Sequence, residues 1–283
     1  MANIKMDNPE KIAIVGLGWL GLPLAKHFIS KGFQVAGTVR SEEKKEKIKS
    51  EGIQVAIWNS KSQNNTISPE LMQNCKYCII NIPPGKINST DDYANDCIKI
   101  LPFFSAQTKF IFISSTGIYP ENIGMAIEDQ FDRKKHLGNH IALAEEWLNK
   151  KLNERLTILR MAGLIGLDRH PAKFLAGKKE LLNGLAPVNL IHLTDCIQLI
   201  EKVIEKSCWG EVINGCSNEH PCRMDYYTKS CQYFGLELPS FKEDIAESSK
   251  LIDNSKSKLL LKVEYTMSSP YDYWRINQKT KIT

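Results

Sequence analysis

Short apolar runs alternate with amphipathic stretches through the first 160 residues. Residues 12–15 (Ile-Ala-Ile-Val) read as a buried strand that breaks into a glycine turn. Leu20, Leu24, Ala25 and Phe28 then repeat at three- and four-residue spacing, which predicts a helix. A second strand is expected over 33–39, a charged helix over 41–50 and a third strand over 53–57. A fourth strand over 77–82 is stopped by Pro83-Pro84-Gly85. A helix over 91–104, a fifth strand over 109–114, an amphipathic helix over 136–151 and a sixth strand over 156–160 complete the series. Short apolar strands alternating with helices imply parallel pairing and right-handed crossovers. The expected fold class is therefore α/β, a Rossmann-type doubly wound parallel sheet with a small C-terminal lobe. Beyond residue 165 the segments near Leu190 and Val212 still read as strand, but helices, Gly and Pro dominate between them. The expected division is a nucleotide-binding domain over 1–165, completed by about 186–215, with 166–185 and 216–283 forming a substrate lobe. Such a lobe belongs over the carboxyl ends of the strands, where these folds bind ligands.

The turn reads Gly16-x-Gly18-x-x-Gly21, after a strand and at the start of a helix. In that context the spacing means dinucleotide binding. Gly16 permits the tight turn, Gly18 lets backbone amides approach a pyrophosphate, and Gly21 lets the helix pack on the strand. The helix N-terminus then faces the phosphates with its positive dipole end. Trp19, inside the turn, either shields the pyrophosphate or packs against Pro83. An NAD site usually carries an acidic residue about 20 residues past the glycines, to hold the ribose hydroxyls. Here the segment is Val35-Ala-Gly-Thr38-Val-Arg40-Ser41, without Asp or Glu. Arg40 is placed to meet a 2′-phosphate, with Thr38 and Ser41 as hydroxyl donors. NADP is the expected cofactor, and NAD remains open if Arg40 only caps the sheet edge.

The net charge of +5 is mild, and the basic run Lys44-Lys45-x-Lys47-x-Lys49 is interleaved with Glu42, Glu43 and Glu46. That is the composition of a solvated helix face rather than a nucleic-acid patch. No apolar run approaches the ~20 residues of a membrane span. Residues 1–10 lack the apolar core of a secretory signal, so a cytoplasmic protein, monomer or homodimer, is expected. The eight cysteines are expected to be reduced apolar fillers. Cys75-x-x-Cys78 lacks a second pair at zinc spacing, and Cys216, His220 and Cys222 are read as structural, so no metal is expected.

Three further stretches carry a family resemblance. Ser114-Ser115-Thr116-Gly-Ile-Tyr119-Pro120 ends the fifth strand, Leu159-Arg160-Met-Ala162-Gly163-Leu-Ile-Gly166 follows the long helix, and Val188-Asn189-Leu-Ile-His192-Leu-Thr-Asp195 lies beyond. In this order, with the glycine motif, the chain resembles the extended short-chain dehydrogenases/reductases, the NAD-dependent epimerase/dehydratase family. Pro221-x-Arg223-x-x-Tyr226 and Asn254-x-Lys256 are similar to a bacterial subgroup of atypical members. The resemblance implies that Leu20, Ile82, Pro83, Ser114, Ala162 and Gly163 join the cofactor site. It also places Thr116, Asn189 and His192 toward a substrate, and Ser115 on the catalytic serine position. Arg169-His170-Pro171-x-Lys173 follows the strand expected to line the nicotinamide. Arg169 and His170 there favour an anionic substrate, unless the loop is only basic surface.

The family's proton transfer uses Tyr-x-x-x-Lys on the helix after the fifth strand. Anchored on Ala144-Glu145, that motif falls on Leu137 and Ile141, and neither carries a proton. Bringing a Tyr from ~10 to ~7 takes about 4 kcal/mol of differential stabilisation, the usual work of the Lys. Losing a positioned general acid typically costs about 10²- to 10⁴-fold in rate. Tyr119, just past Ser115, is a candidate proton donor or else a packed tyrosine. His136 and His140 lie one residue before the two vacant positions and read as solvated. An NADP(H)-dependent oxidoreductase or epimerase-like enzyme on a small carbonyl or sugar-type substrate is the leading expectation. A non-catalytic NADP(H)-sensing module is the second. A dehydrogenase of the 6-phosphogluconate or ketopantoate type, which begins with the same turn, is the third.

Overall fold

A computed structural model of the chain describes residues 9–62, 65–85, 88–136, 138–166, 168–243 and 249–274. Strands β1 (Lys11–Val15), β2 (Gln34–Val39), β3 (Gln54–Ile57), β4 (Tyr77–Ile80) and β5 (Lys109–Ser115) come first, followed by the two-residue β6 (Met125–Ala126). Then come β7 (Leu156–Met161), β8 (Gly163–Ile165), β9 (Leu190–His192), β10 (Val212–Gly215) and β11 (Leu251–Ile252). The principal sheet has seven strands in the order β10-β7-β5-β4-β1-β2-β3. The pairs β1–β2, β1–β4, β2–β3 and β4–β5 are all parallel. Strand order reverses between β1 and β4, the topological switch point at which open α/β sheets bind ligands. The expected Rossmann-type α/β fold is the one observed.

The helices are α1 (Gly21–Ser30), α2 (Glu42–Ile48), α3 (Pro69–Met72), α4 (Asp92–Ile98), α5 (His140–Leu152), α6 (Ala172–Leu175), α7 (Leu193–Glu205), α8 (Arg223–Phe234) and α9 (Ser255–Leu261). None is long and apolar enough among the described residues to cross a membrane. Two differ from their expected extents for local reasons. The helix expected over 91–104 ends at Ile98, and a 3₁₀ turn over Leu101–Phe103 replaces the rest. Pro102 has no N–H to give and its ring crowds the preceding turn. The helix expected from 136 begins at His140, because Asn139 caps it: its Oδ1 accepts from Ile141 N at 2.9 Å and Ala142 N at 3.2 Å.

The chain divides into two compact units, 1–114 with 133–158 and 209–211, and 115–132 with 159–208 and 212–283. The first is built around fully buried Ile12, Ile14, Ile79, Ile80, Phe110 and Phe112, near-continuous apolar runs as expected of strands covered on both faces. The second holds two small parallel ribbons, β6–β11 and β8–β9, and α6 to α9. Its core carries polar groups: Arg160, 1% exposed, donates from Nη1 to Tyr119 Oη at 2.8 Å and stands against the Tyr119 and Phe131 rings.

Candidate functional site

The glycine turn is shaped by contacts at two of its three glycines and by space at the third. Gly16 has φ +106°, and a Cβ there would lie 2.4 Å from Asn81 O. A Cβ on Gly21 would lie 2.1 Å from Gly16 O, whereas one on Gly18 would meet nothing within 4 Å. The two flanking glycines are thus demanded by the fold. The middle one borders open space, as a cradle for a bound group requires. Two residues lock the turn. Thr38 Oγ1, at the end of β2, accepts from Gly16 N at 3.0 Å, and Asn81 Nδ2, just past β4, donates to Gly16 O at 3.1 Å.

A cavity of about 390 Å³ opens beside the turn, lined by Gly16, Leu17 and Gly18, by Thr38 to Arg40, and by Ile82, Pro83 and Gly85. Its size is that of a small-molecule site. Trp58, Asn59, Ser60 and Lys61 after β3, with Asp96 of α4, also line it; periodicity gave no sign of them. Neither did it single out Asn81, which acts through backbone geometry. Three cations line the cavity, Arg40, Lys44 and Lys61, and Lys61 stands 3.9 Å from the Asp92 carboxylate. Of the four lysines in the basic run, Lys45, Lys47 and Lys49 pair with Glu42, Glu43 and Glu46 at 3.0, 2.6 and 3.4 Å. Lys44 and Arg40 make no ion pair with a described residue. The solvated-face reading therefore holds for three lysines, and the fourth belongs to the cavity.

Several residues assigned to the cofactor by sequence have other work. The Thr38 hydroxyl accepts from Gly16 N and the residue is 2% exposed, so it shapes the turn as well as lining the cavity. Ser41 caps α2, its Oγ accepting from Lys44 N at 3.4 Å. Ser114 donates to the fully buried Glu145 at 2.5 Å. Leu20 is buried and Trp19 half-buried, and neither side chain lines the cavity. Ile82 and Pro83 do line it.

In the second unit, Ser115 is half-buried and its Oγ accepts from Gly117 N at 3.1 Å, which leaves its O–H free to donate. Thr116 is buried in the 3₁₀ turn that follows. Tyr119 is 2% exposed, and its hydroxyl donates to Asn214 Oδ1 at 2.8 Å while accepting from Arg160. Burial raises its pKa, and the Arg160 charge opposes the shift only in part. Asn214 N donates in turn to Glu128 Oε1 at 2.7 Å. This is a packed tyrosine in a satisfied buried network, not a poised proton donor.

The Asn189-x-x-His192-x-x-Asp195 segment is structural at all three positions. The Asn189 amide donates to Lys250 O at 2.8 Å and accepts from Ile252 N at 3.0 Å, which fastens β11. His192 Nδ1 accepts from Thr194 N at 3.2 Å and caps α7. Asp195 accepts from Thr266 N at 2.7 Å and Met267 N at 3.1 Å. His170, 3% exposed, accepts from Ala172 N at 3.1 Å and packs among Tyr226, Phe234 and Tyr273. Burial lowers the pKa of both histidines to about 4. Neither imidazole is a substrate-facing acid.

A second cavity, of about 380 Å³, lies within this unit and is lined by Gly163, Leu164, Arg169, Pro171, Phe174, Asn189, Arg223 and Tyr227, among others. Of the residues expected at the substrate, Arg169 and Asn189 reach it; His170 and His192 do not. Gly163 lines it too, and a Cβ there would stand 2.8 Å from Leu190 Cδ2. Ala162 is buried, its amide donating to Gly215 O at 2.8 Å.

Leu137, on the vacant tyrosine position, lies outside the described residues. His136 sits in a 3₁₀ turn before α5, so it and His140 do not share one helical face as their spacing implied. Residues 1–8 also lie outside the description. No disulfide joins the eight cysteines, and Cys216 Sγ donates to Leu190 O at 3.5 Å. No group of three or more His, Cys, Asp or Glu suited to a metal occurs among the described residues.

Comparison with known proteins agrees with this geometry. Residues 11–124 match the family described as the NAD binding domain of 6-phosphogluconate dehydrogenase. The match identifies an NAD-binding Rossmann domain and ends before the second half of the chain. Protein YeeZ of Escherichia coli (strain K12) is 30% identical over 269 residues, spanning 92% of this chain and 97% of that one. The structure of a functionally unknown conserved protein from Silicibacter pomeroyi DSS has a TM-score of 0.74 at 19% identity, covering 96% of this chain and 99% of its own. UDP-glucuronic acid 4-epimerase from Bacillus cereus, solved in complex with NAD, has a TM-score of 0.70 at 20% identity, covering 94% and 99%. At those identities the two structures speak to the fold, and they do so over nearly the whole chain.

Proposed function

The chain belongs to the family of Escherichia coli protein YeeZ, and on that premise we propose that it is an NADP(H)-dependent oxidoreductase or epimerase/dehydratase-like enzyme acting on a small carbonyl or sugar-type substrate. The observation that carries the cofactor choice is the pair Arg40 and Lys44, two cations on the cavity beside Gly16 and Gly18 that have no ion-pair partner among the described residues. A 2′-phosphate is a dianion that an Arg fork and a Lys point charge would hold together. The open space at Gly18 would admit the pyrophosphate to the N-terminus of α1. Ile82 and Pro83 would give an apolar wall. A bound nicotinamide would supply or accept the hydride.

Ser115 is the residue of this chain suited to hold a substrate oxygen, since its hydroxyl retains a free donor. Tyr119, His170 and His192 are committed elsewhere, so the proton comes from water. Residues 166–185 and 216–283 serve as the substrate lobe. The second cavity, with Arg169 on its wall, supports an enzyme over a cofactor-sensing module.

Fluorescence titration of the purified chain tests the cofactor choice. NADPH is expected to bind at least about tenfold tighter than NADH, and Arg40→Ala to erase that difference. Equal affinities in the wild type would overturn the NADP assignment.

A further inference from the structure

Helix α8 places a cation and a phenol on the second cavity; among the described residues the cation meets no carboxylate and the phenol no hydrogen-bond partner. Arg223 and Tyr227 stand four residues apart, on one helical face, and both line the cavity. The Arg223 guanidinium makes two contacts. Nη1 donates to Leu182 O at 2.8 Å, and the guanidinium carbon stands 5.9 Å from the centroid of the Phe241 ring. Neither partner is a carboxylate. A guanidinium offers five N–H donors, so a single carbonyl bond leaves most of the fork unused and the charge uncompensated. The Tyr227 hydroxyl makes no hydrogen bond with a described residue. Burial raises its pKa and the Arg223 charge opposes that shift, so the two groups lie within electrostatic reach of each other.

The rest of the wall is selective. Arg169 brings a second cation, and no Asp or Glu is among the lining residues. Leu164, Pro171 and Phe174 form an apolar side, and Phe174 is 69% exposed. An aromatic ring left that open beside an unneutralised guanidinium describes a site for a molecule with two different ends.

We propose that this cavity recognises the substrate's anionic end, Arg223 and Tyr227 together binding a carboxylate or phosphate oxyanion while the apolar side around Phe174 takes an aromatic or aliphatic body. Arg169 adds long-range attraction. The inference rests on reading the chain as an enzyme and narrows its substrate to an amphipathic, carbonyl-bearing organic anion. Specificity against neutral analogues follows, because a neutral group would leave the guanidinium buried by ligand and unpaired.

Isothermal titration of the full chain at low ionic strength tests this with four probes: phenylpyruvate, phenyl phosphate, inorganic phosphate and benzyl alcohol. Saturable binding of phenylpyruvate or phenyl phosphate is expected, weakening with salt, with benzyl alcohol failing to bind. The stronger of the two anions identifies the oxyanion. Arg223→Gln should weaken that anion about 10- to 100-fold and Tyr227→Phe by a smaller factor of about 3- to 10-fold. NADPH affinity, read in the same samples, should stay at the wild-type value and so report that the fold is intact. Should Arg223→Gln lose NADPH binding too, Tyr227→Phe decides. The proposal is overturned if no anion binds the wild type saturably, if benzyl alcohol binds as tightly as the anions, or if the substitutions leave anion affinity unchanged. Failure of the wild type to bind NADPH or NADH would instead strike the functional reading, whatever the anions do.

Discussion

The hydroxyl of Thr38 accepts the amide of Gly16 across 22 residues of sequence, at 3.0 Å. It ties the end of the second strand to the first turn of the dinucleotide motif and fixes where the following amides point. Thr38→Val is isosteric but leaves the Gly16 N–H without its acceptor. A loss of about 1–3 kcal/mol in folding stability is expected, with weaker cofactor binding. Thr38→Ser should recover both. Urea denaturation and cofactor titration read the two effects; a valine variant with unchanged stability and affinity would show that the bond is incidental.

The glycines of the turn should separate by role. Gly18→Ala meets open space, so its folding stability should stay within about 1 kcal/mol of wild type while dinucleotide affinity falls. Gly21→Ala drives a Cβ into Gly16 O, backbone against backbone, and should lower the melting temperature sharply before any ligand is added. If both variants melt alike, the cradle reading of Gly18 is wrong.

Ser115 and Tyr119 lie four residues apart and should fail in opposite ways. Tyr119→Phe strips a hydrogen-bond partner from both buried Arg160 and Asn214, a loss of about 1–3 kcal/mol of stability. Turnover per folded molecule should survive. Ser115→Ala should leave stability near wild type and abolish turnover in a carbonyl-reduction screen, with cofactor binding intact. Loss of turnover in a stable Tyr119→Phe protein would restore the tyrosine as a proton donor.

Acid stability should be limited by two buried imidazoles. Burial holds His170 and His192 at about 4, and Lys173 adds to the effect at His170, against ~6.5 when unfolded. Between those values the unfolded chain binds protons that the folded chain refuses. The stability contributed by the neutral imidazoles is full above pH ~6.5 and drains away as pH falls toward 4. Asp195 and Glu128, whose pKa values burial raises, act in the opposite sense, so the histidine part is read by difference. His170→Asn, which retains an acceptor for Ala172 N, should flatten the slope of the urea midpoint between pH 6.5 and 4. A variant profile parallel to wild type would remove His170 from the account.

Much of this protein is local and was legible in the chain. The strand–glycine–helix order, the alternation that demands a parallel sheet, and the lack of an acid after β2 depend on neighbours within a few residues. Backbone conformation and side-chain period are set at that range. The capping role of Asn139 was equally local but hidden, because the apolar pattern of α5 continues backward past its true start.

What only the tertiary structure decided is the employment of each polar group. Tyr119 and Asn214 are 95 residues apart, and Asn189 holds a strand edge about 60 residues away. A motif states which side chains are present; burial decides whether their donors and acceptors are consumed by the protein or left for a ligand. By that test Asn189, His192 and Asp195 support the fold. Arg40, Lys44, Arg223 and Tyr227 are the groups left over: among the described residues no carboxylate pairs with the three cations, Arg223 spends one N–H on the Leu182 carbonyl, and the Tyr227 hydroxyl has no hydrogen-bond partner. Lys44 was masked by its paired neighbours, and Arg223 and Tyr227 show no pattern until α8 brings one face of its helix to a cavity wall.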